Sequence, residues 1–361
     1  MLIHPSLEPI REKVEKGERL SFQDGLDLFR SPDLLGVGAL ANIVRERKNG
    51  NRAYFIVNRH INPTNICKNR CRFCAFSKNA GEEGAYAMDL EAVLKSAATG
   101  PNAGPSEFHI VGGLHPEWPF HFYEEMLRAL RDRFPNVHLK AFTAVEIAHL
   151  AEVSGLGIEG TLLRLKEAGL GSLPGGGAEI FNPATRNKLC PEKITGGKWL
   201  EVMETAHGLG IPSTATMLYG HIESAEDRVD HLIRLRELQD RTNGFLSFIP
   251  LAFHPKNTDF HCLSASTGQL DLKVMAVSRL MLDNFAHIKA YWIMLGPKIS
   301  QISLMFGADD MDGTVVEEKI THAAGAETAQ FTARETFINL ISGTGRDPYE
   351  RDALYRRMDK V

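Results

Sequence analysis

From Tyr54 onward, short β-rich runs alternate with longer stretches whose apolar positions recur at helical spacing. YFIVN (Tyr54 to Asn58) leads into a polar loop. EFHIVGG (Glu107 to Gly113) precedes the amphipathic FHFYEEMLRALRDRF, and VHLKAF (Val137 to Phe142) precedes AVEIAHLAEVSG. A short piece near Ser172 and Leu173 runs into a glycine-rich loop. STATMLYG (Ser213 to Gly220) precedes AEDRVDHLIRLRELQD, FLSFIPL (Phe245 to Leu251) precedes a loop and LDLKVMAVSRLMLDNF, and IKAYWIML (Ile288 to Leu295) follows. An eighth strand falls near Phe306 to Val315. Strand runs separated by helical patterns are the mark of βαβ units and a parallel sheet. Ahead of them the chain to about Asn49 reads as helices. In SFQDGLDLFRS, Ser21 is placed to cap a helix with Asp24 three residues on.

This repetition predicts an α/β protein: a (β/α)8 TIM-type barrel or close variant spanning residues 51–361 as one functional unit with C-terminal helical elements, and an N-terminal helical extension, residues 1–50, packed on it. An open doubly wound sheet is the alternative. Both folds put their chemistry at the C-terminal ends of the strands. The unusual residues do follow the strands: a cysteine loop after the first, GGLHP (Gly112 to Pro116) after the second, TAVE (Thr143 to Glu146) after the third, LPGGGAEIF (Leu173 to Phe181) after the fourth, YGHIES (Tyr219 to Ser224) after the fifth and AFHPKNT (Ala252 to Thr258) after the sixth.

Composition narrows the class. Of 361 residues 43% are hydrophobic and 24% charged, enough apolar material for a large core. A net charge of -4 offers no basic stripe for nucleic acid. No apolar run approaches the ~18 residues that span a bilayer, and the polar N-terminus does not read as a signal peptide. Five cysteines are too few and too scattered for a secreted disulfide scaffold. The expected compartment is reducing, hence cytoplasmic.

Three of those cysteines, Cys67, Cys71 and Cys74, fall within NPTNICKNRCRFCAFSKN. The charged neighbours Lys68, Arg70 and Arg72 argue against inert core thiols. One disulfide would strand the third sulfur. Structural zinc wants four ligands; His60 is available as the fourth, but its spacing matches no common finger. Three thiolates suit a cubane iron–sulfur cluster with one iron left open to a substrate. A closed electron-carrier cluster would need a fourth protein ligand, and Cys190 and Cys262 are the spare thiols.

CKNRCRFC resembles the cluster motif of the radical S-adenosylmethionine (SAM) enzymes. The resemblance implies that Cys67, Cys71 and Cys74 hold a [4Fe-4S] cluster whose open iron is chelated by the amine and carboxylate of SAM, which is split to methionine and a 5′-deoxyadenosyl radical. It implies that Phe73 lies against the adenine, that Gly112 and Gly113 let backbone approach the SAM amino group, and that Thr143 and Glu146 sit by the ribose. Across nearly the whole chain, HIVGGLHPEWPF, SLPGGGAEIF, ATMLYGHIE, FIPLAFHPKNT and FGADDMDGTVVEEKI resemble the aminofutalosine synthase family of the futalosine route to menaquinone. Cyclic dehypoxanthine futalosine synthases and deazaflavin FO synthases are related alternatives; the former look more like Trp-Thr-Phe-Gln where this chain has FIPLAFHPKNT. Asn182-Pro183-Ala184 departs from the charged, helical linker expected there.

The reaction so implied adds the adenosyl radical to the vinyl carbon of 3-[(1-carboxyvinyl)oxy]benzoate. Aryl migration and loss of carboxylate then give aminodeoxyfutalosine and bicarbonate. A flavodoxin- or ferredoxin-type reductant is expected, and a homodimer is compatible. The substrate's two carboxylates need donors. His254 and Asn257 in FHPKNT are candidates, as are the backbone N–H groups of Gly175, Gly176 and Gly177 arranged as an anion nest. His115 and His221 with Tyr219 stand at strand ends on the expected rim. Glu179 serves equally as a helix-start residue or a SAM-side contact. Arg164 and Arg279 lie in helical runs and read as solvated faces, and His109, inside an apolar strand, as a buried, hydrogen-bonded histidine.

Overall fold

The computed structural model describes residues 3–100 and 104–361. Eight parallel staves close into a barrel. They are β1 (Arg52–Ile56, continuing after Val57 as Asn58–Ile61), β2 (Glu107–Ile110), β3 (His138–Ala141), β4 (172–173), β5 (Ser213–Tyr219), β6 (Phe245–Ala252), β7 (His287–Ile288) and β8 (Asp310–Gly313). Hydrogen bonding is continuous through β1–β2–β3 and through β5–β6–β7. Single bridges complete the circuit, from Lys140 to Ser172, from Leu173 to Ser213 and from Lys289 to Asp310, and β8 returns to β1 with Tyr54 opposite Asp310.

β5 is buried at every position, as expected of a strand covered by helices on one face and enclosed within the barrel on the other. Its alternation sorts the two faces: Thr214, Thr216 and Leu218 line the lumen cavity, while Ala215, Met217 and Tyr219 belong to the apolar layer under the helices. Short polar caps start the helices where the strands' loops end. Thr143 with Glu146, and Ser224 with Asp227, form reciprocal capping boxes.

Ahead of the barrel, helices Phe22–Arg30 and Leu34–Asn49 pack against the outer helices Ala225–Thr242 and Gly268–Met281, and Glu8–Lys16 packs on Leu34–Asn49. Ser21 and Asp24 form the expected capping box. Arg45, fully buried, stitches this layer to the barrel by donating to the carbonyls of Gly50 and Arg52.

One expectation fails. The predicted strand Ile288–Leu295 ends at Ile288, and a helix, Trp292–Ser303, takes the rest of the run. Trp292 anchors that helix by donating from Nε1 to the Gly313 carbonyl at 2.8 Å. The C-terminal region holds helical elements, Ile320–Ala323 and Arg334–Ser342, and strands besides. It adds β9 (Asp347–Arg351), parallel to the first half of β1, and β10 (Met358–Lys360), antiparallel to β9. This hairpin closes the N-terminal mouth of the barrel: Arg351 and the Tyr355 hydroxyl both donate to Asp310, and the Tyr355 ring stacks on His287 at 3.8 Å. Among the described residues no helix is long and apolar enough to cross a membrane.

Candidate active site

A cavity of about 310 Å³ opens at the C-terminal ends of the strands and runs down into the lumen. Its upper wall is the loop after β1, which carries Cys67, Phe73, Cys71 and Cys74. Backbone bonds from several directions fix that loop. Cys67 N–H donates to Lys78 O (3.1 Å), Lys68 N–H to Leu114 O (2.9 Å), Arg72 N–H to Leu189 O (3.0 Å) and Cys74 N–H to Cys71 O (2.9 Å).

Gly112 and Gly113 also line the cavity, but their lack of a side chain serves the protein first. A Cβ on Gly113 would stand 2.2 Å from the Ile66 carbonyl oxygen, and one on Gly112 3.0 Å from that of Thr64. The glycines therefore let the loop after β2 lie directly on the cysteine loop. Glu146 ties the next loop in. Its carboxylate accepts from Gly112 N–H (3.1 Å), Thr143 N–H (2.7 Å) and the Thr143 hydroxyl (2.8 Å). Burial raises its pKa to about 7 despite those bonds.

The glycine-rich segment after β4 is held by its own backbone. Gly175 N–H donates to Thr214 Oγ1 at 2.9 Å, and a Cβ on Gly175 would collide with the backbone of β5. Arg186, almost wholly buried, gathers the carbonyls of Gly177, Ala178, Ile180 and Ile194. Gly175 has therefore already spent the N–H that a three-residue anion nest requires. Asn182 begins a helix, Pro183–Leu189, with Oδ1 accepting from Ala184 and Thr185. Glu179 is not a helix-start residue: its φ is 49°, and it pairs with Lys193 at 2.7 Å. Lys193 in turn lies over the Phe73 ring. Burial alone would lower the Lys193 pKa; the negative charge of a Cys71 thiolate and of the Glu179 carboxylate outweighs it and raises it.

The remaining sequence candidates divide. His254 lines the cavity, yet its Nε2 donates to Met294 O at 3.1 Å, and burial lowers its pKa. As a neutral ring it presents an acceptor on its other nitrogen. Asn257, His115, His221 and Tyr219 lie outside the lining. Asn257 donates to Ala323 O (2.9 Å). His115 stacks on Trp118 at 4.6 Å. His221 is buried against its own loop, with Nε2 on Leu218 O (3.0 Å). Tyr219 points to the helix layer, where its hydroxyl donates to Asp271 (2.9 Å). Arg164 pairs with Glu124. Arg279 is no solvated face: it is fully buried, paired with Asp309 and donating to the Gly307 carbonyl at 2.8 Å.

Sequence reasoning missed the floor: it weighed His60 only as a zinc ligand and read His109 as a buried, hydrogen-bonded histidine, whereas among the described residues the His109 ring makes no hydrogen bond and faces the cavity. His60, His109, Lys140, Asp312 and Glu318 line the lower cavity. Lys140 is paired with Glu107 at 2.6 Å and Lys289 with Asp312 at 3.0 Å. Burial opposes ionisation of Glu107, and Lys140 outweighs it, holding that carboxyl below its ordinary range. His109 is stacked on His60, with ring centroids 4.5 Å apart. The chain reaches Glu318 through Val315, Val316 and Glu317 at φ 66°, 68° and 59°. Left-handed backbone of this kind costs non-glycine residues about 1–3 kcal/mol each and gathers at functional sites.

The donor set fits an iron–sulfur cluster better than a single ion. Among the described residues no three Cys, His, Asp or Glu side chains converge on one metal position. Cubane ligands each take a separate iron and so spread along a wall, as these cysteines do. Burial pushes the Cys71 thiol up to about 12, so an adjacent soft cation is what would hold it as thiolate.

Residues 61–235 match the radical SAM superfamily, and residues 242–361 the CofH/MqnC C-terminal region. Aminodeoxyfutalosine synthase from Thermus thermophilus is 48% identical over 98% of this chain and 96% of its own. The enzyme of that name from Streptomyces coelicolor is 44% identical, over 96% and 92%. The 5-amino-6-(D-ribitylamino)uracil–L-tyrosine 4-hydroxyphenyl transferase from Methanothermobacter thermautotrophicus is 42% identical, over 91% of each chain. The crystal structure of methylornithine synthase matches with a TM-score of 0.74 at 19% identity, covering 94% of this chain and 97% of that one, a likeness of fold.

Proposed function

The chain belongs to the radical SAM superfamily, and from that premise we propose that it is an aminodeoxyfutalosine synthase. It would join the adenosyl group of SAM to 3-[(1-carboxyvinyl)oxy]benzoate, giving 6-amino-6-deoxyfutalosine, methionine and bicarbonate in menaquinone biosynthesis. The observation that carries this reading, beside the full-length likeness, is the continuous cavity: cysteines and an aromatic at one end, histidines and a lysine at the other, and apolar walls between.

Held by Cys67, Cys71 and Cys74, a [4Fe-4S] cluster with SAM would supply the 5′-deoxyadenosyl radical on one-electron reduction. The rest falls to side chains. Phe73 offers a face for the adenine. Thr143 and Glu146 hold the rim beside the SAM position. Leu114, Val145, Leu218, Leu251 and Phe253 make an apolar sleeve, which keeps water away from a radical and fixes the vinyl group for addition, a step that depends on proximity. Electrons would enter from the far side of the cysteine wall. Cys71 and Cys74 also border an outer cleft lined by Arg70, Arg72, Asn79 and Asp259, where a flavodoxin- or ferredoxin-type reductant would dock.

The test is anaerobic reconstitution followed by SAM, dithionite and the enol ether, with products read by mass spectrometry. An adenosyl–benzoate adduct is expected. Formation of 5′-deoxyadenosine alone, or product only from tyrosine with 5-amino-6-(D-ribitylamino)uracil, would overturn the assignment.

A further inference from the structure

His60, His109 and Lys140 sit on three neighbouring staves at one height. β1 and β2 pair with His60 opposite His109, and β2 and β3 pair with His109 opposite Lys140. All three side chains reach the cavity. They form a row of nitrogen groups across the lumen wall, three residues below Gly112 and Thr143, or about 10 Å at the usual strand rise.

The charges around this row are already matched. Lys140 has Glu107, Lys289 has Asp312, and Arg351 has Asp310. Glu318, from the loop after β8, is held by Thr321 N–H and His322. What is left over is the imidazole pair. Among the described residues Nε2 of His60, a residue 93% buried (7% exposed), has no partner. Burial also lowers the pKa of both rings, so each is a neutral imidazole with one N–H to give. The Lys140 ammonium has three hydrogens and makes one side-chain bond, to Glu107. The row lacks an acceptor.

We infer that the His60–His109–Lys140 row is the subsite for the ring carboxylate of the substrate, and so sets its specificity; the inference rests on the function proposed above. The bond to be made joins C5′ of the adenosyl group to the vinyl carbon. The vinyl end must therefore lie toward the cysteine wall. The ring carboxylate, meta to the ether oxygen, is carried to the opposite end of the cavity, where the row stands. The carboxylate on the vinyl group stays near the rim.

The reconstituted enzyme is assayed with 3-[(1-carboxyvinyl)oxy]benzoate and with 2-phenoxyacrylate, which keeps the vinyl ether and lacks the ring carboxylate. Wild type should favour the first by about 100-fold or more in kcat/KM, since a site built to hydrogen-bond a group rejects the analogue without it. His60→Leu and His109→Leu should each cut that ratio about tenfold, through KM for the carboxylated compound, and His109→Gln should recover part of it. An unchanged ratio, or an equal fall for both compounds as a packing defect would give, overturns the inference. Calorimetry with the unreactive ether 3-[(1-carboxyethyl)oxy]benzoate reads the same subsite without turnover. Its affinity should weaken about tenfold in the leucine variants, and unchanged affinity again overturns the inference. A wild type that makes no adduct with either vinyl ether would count against the assigned reaction, and the calorimetric result would then decide the subsite alone.

Discussion

Lys193 places its ammonium 4.9 Å from the centroid of the Phe73 ring, the aromatic that precedes Cys74. The same nitrogen is 2.7 Å from Oε1 of Glu179, and both side chains are largely buried. One cation thus ties the cysteine loop to the glycine-rich loop after β4. Lys193→Met should destabilise the protein by about 3–5 kcal/mol, because Glu179 is left buried and unpaired. Thermal unfolding reads that loss. The variant's cluster should also show a more negative midpoint potential in a redox titration, since a positive charge beside Cys71 is gone. A potential equal to wild type would mean that Lys193 acts on the loop alone.

Gly113→Ala should remove the cluster while leaving the barrel. The new methyl would meet the Ile66 carbonyl at 2.2 Å, a backbone atom that cannot swing aside. Gly112→Ala, with its nearest atom at 3.0 Å, should be the milder change. Iron and sulfide content after reconstitution, beside far-UV circular dichroism, distinguishes the two. Full cluster content in Gly113→Ala would show that the cysteine loop tolerates the displacement.

The pair of Lys140 and Glu107 allows a cleaner separation of stability from binding. Lys140→Met leaves Glu107, 1% exposed, without its counterion and should cost about 3–5 kcal/mol. Adding Glu107→Gln should recover most of that stability and none of the affinity for the carboxylated substrate. Chemical denaturation and substrate titration on the same two proteins check both halves.

Glu146 gives a pH dependence with a definite sign. Its carboxyl titrates near 7 in the folded chain, against 4.5 ordinarily. Between those values the folded state binds a proton that the unfolded state does not. The stabilisation from this group is therefore fully present below pH 4.5 and is lost as pH rises through 7. The swing is on the order of 3 kcal/mol. Glu146→Gln should flatten that part of the stability profile, compared with wild type by unfolding at a series of pH values. Parallel profiles would show that the carboxyl titrates alike in both states.

How much of this was legible in the sequence depends on whether the signal was local. The staves, the capping box of Ser21 and Asp24, and the grouping of Cys67, Cys71 and Cys74 all follow from spacing along the chain. The run IKAYWIML did not separate strand from helix, because a short, wholly apolar stretch has no period to measure. Asp347–Arg351 carries Pro348, which speaks against a strand flanked on both sides, yet it pairs with β1 on one side and β10 on the other. Tyr219 was recoverable: period-two alternation from Thr214 and Thr216 turns it outward. His60, His109 and Lys140 were not. Each is a polar residue in a short strand, and only the register of β1, β2 and β3 sets them side by side. Arg186 and Lys193 likewise look like ordinary loop and helix charges until the fold buries them.

Cys190 is the buried spare thiol, close enough to Cys71 to oppose its ionisation, so it is the residue that could close the cluster as a fourth ligand. The most direct test is the electron paramagnetic resonance spectrum of the reduced, reconstituted Cys190→Ala protein with and without SAM. The expected result is a cluster signal like that of wild type, shifted by SAM in both proteins. Loss of the cluster in Cys190→Ala, or a wild-type signal indifferent to SAM, would contradict a site built on three cysteines and one open iron.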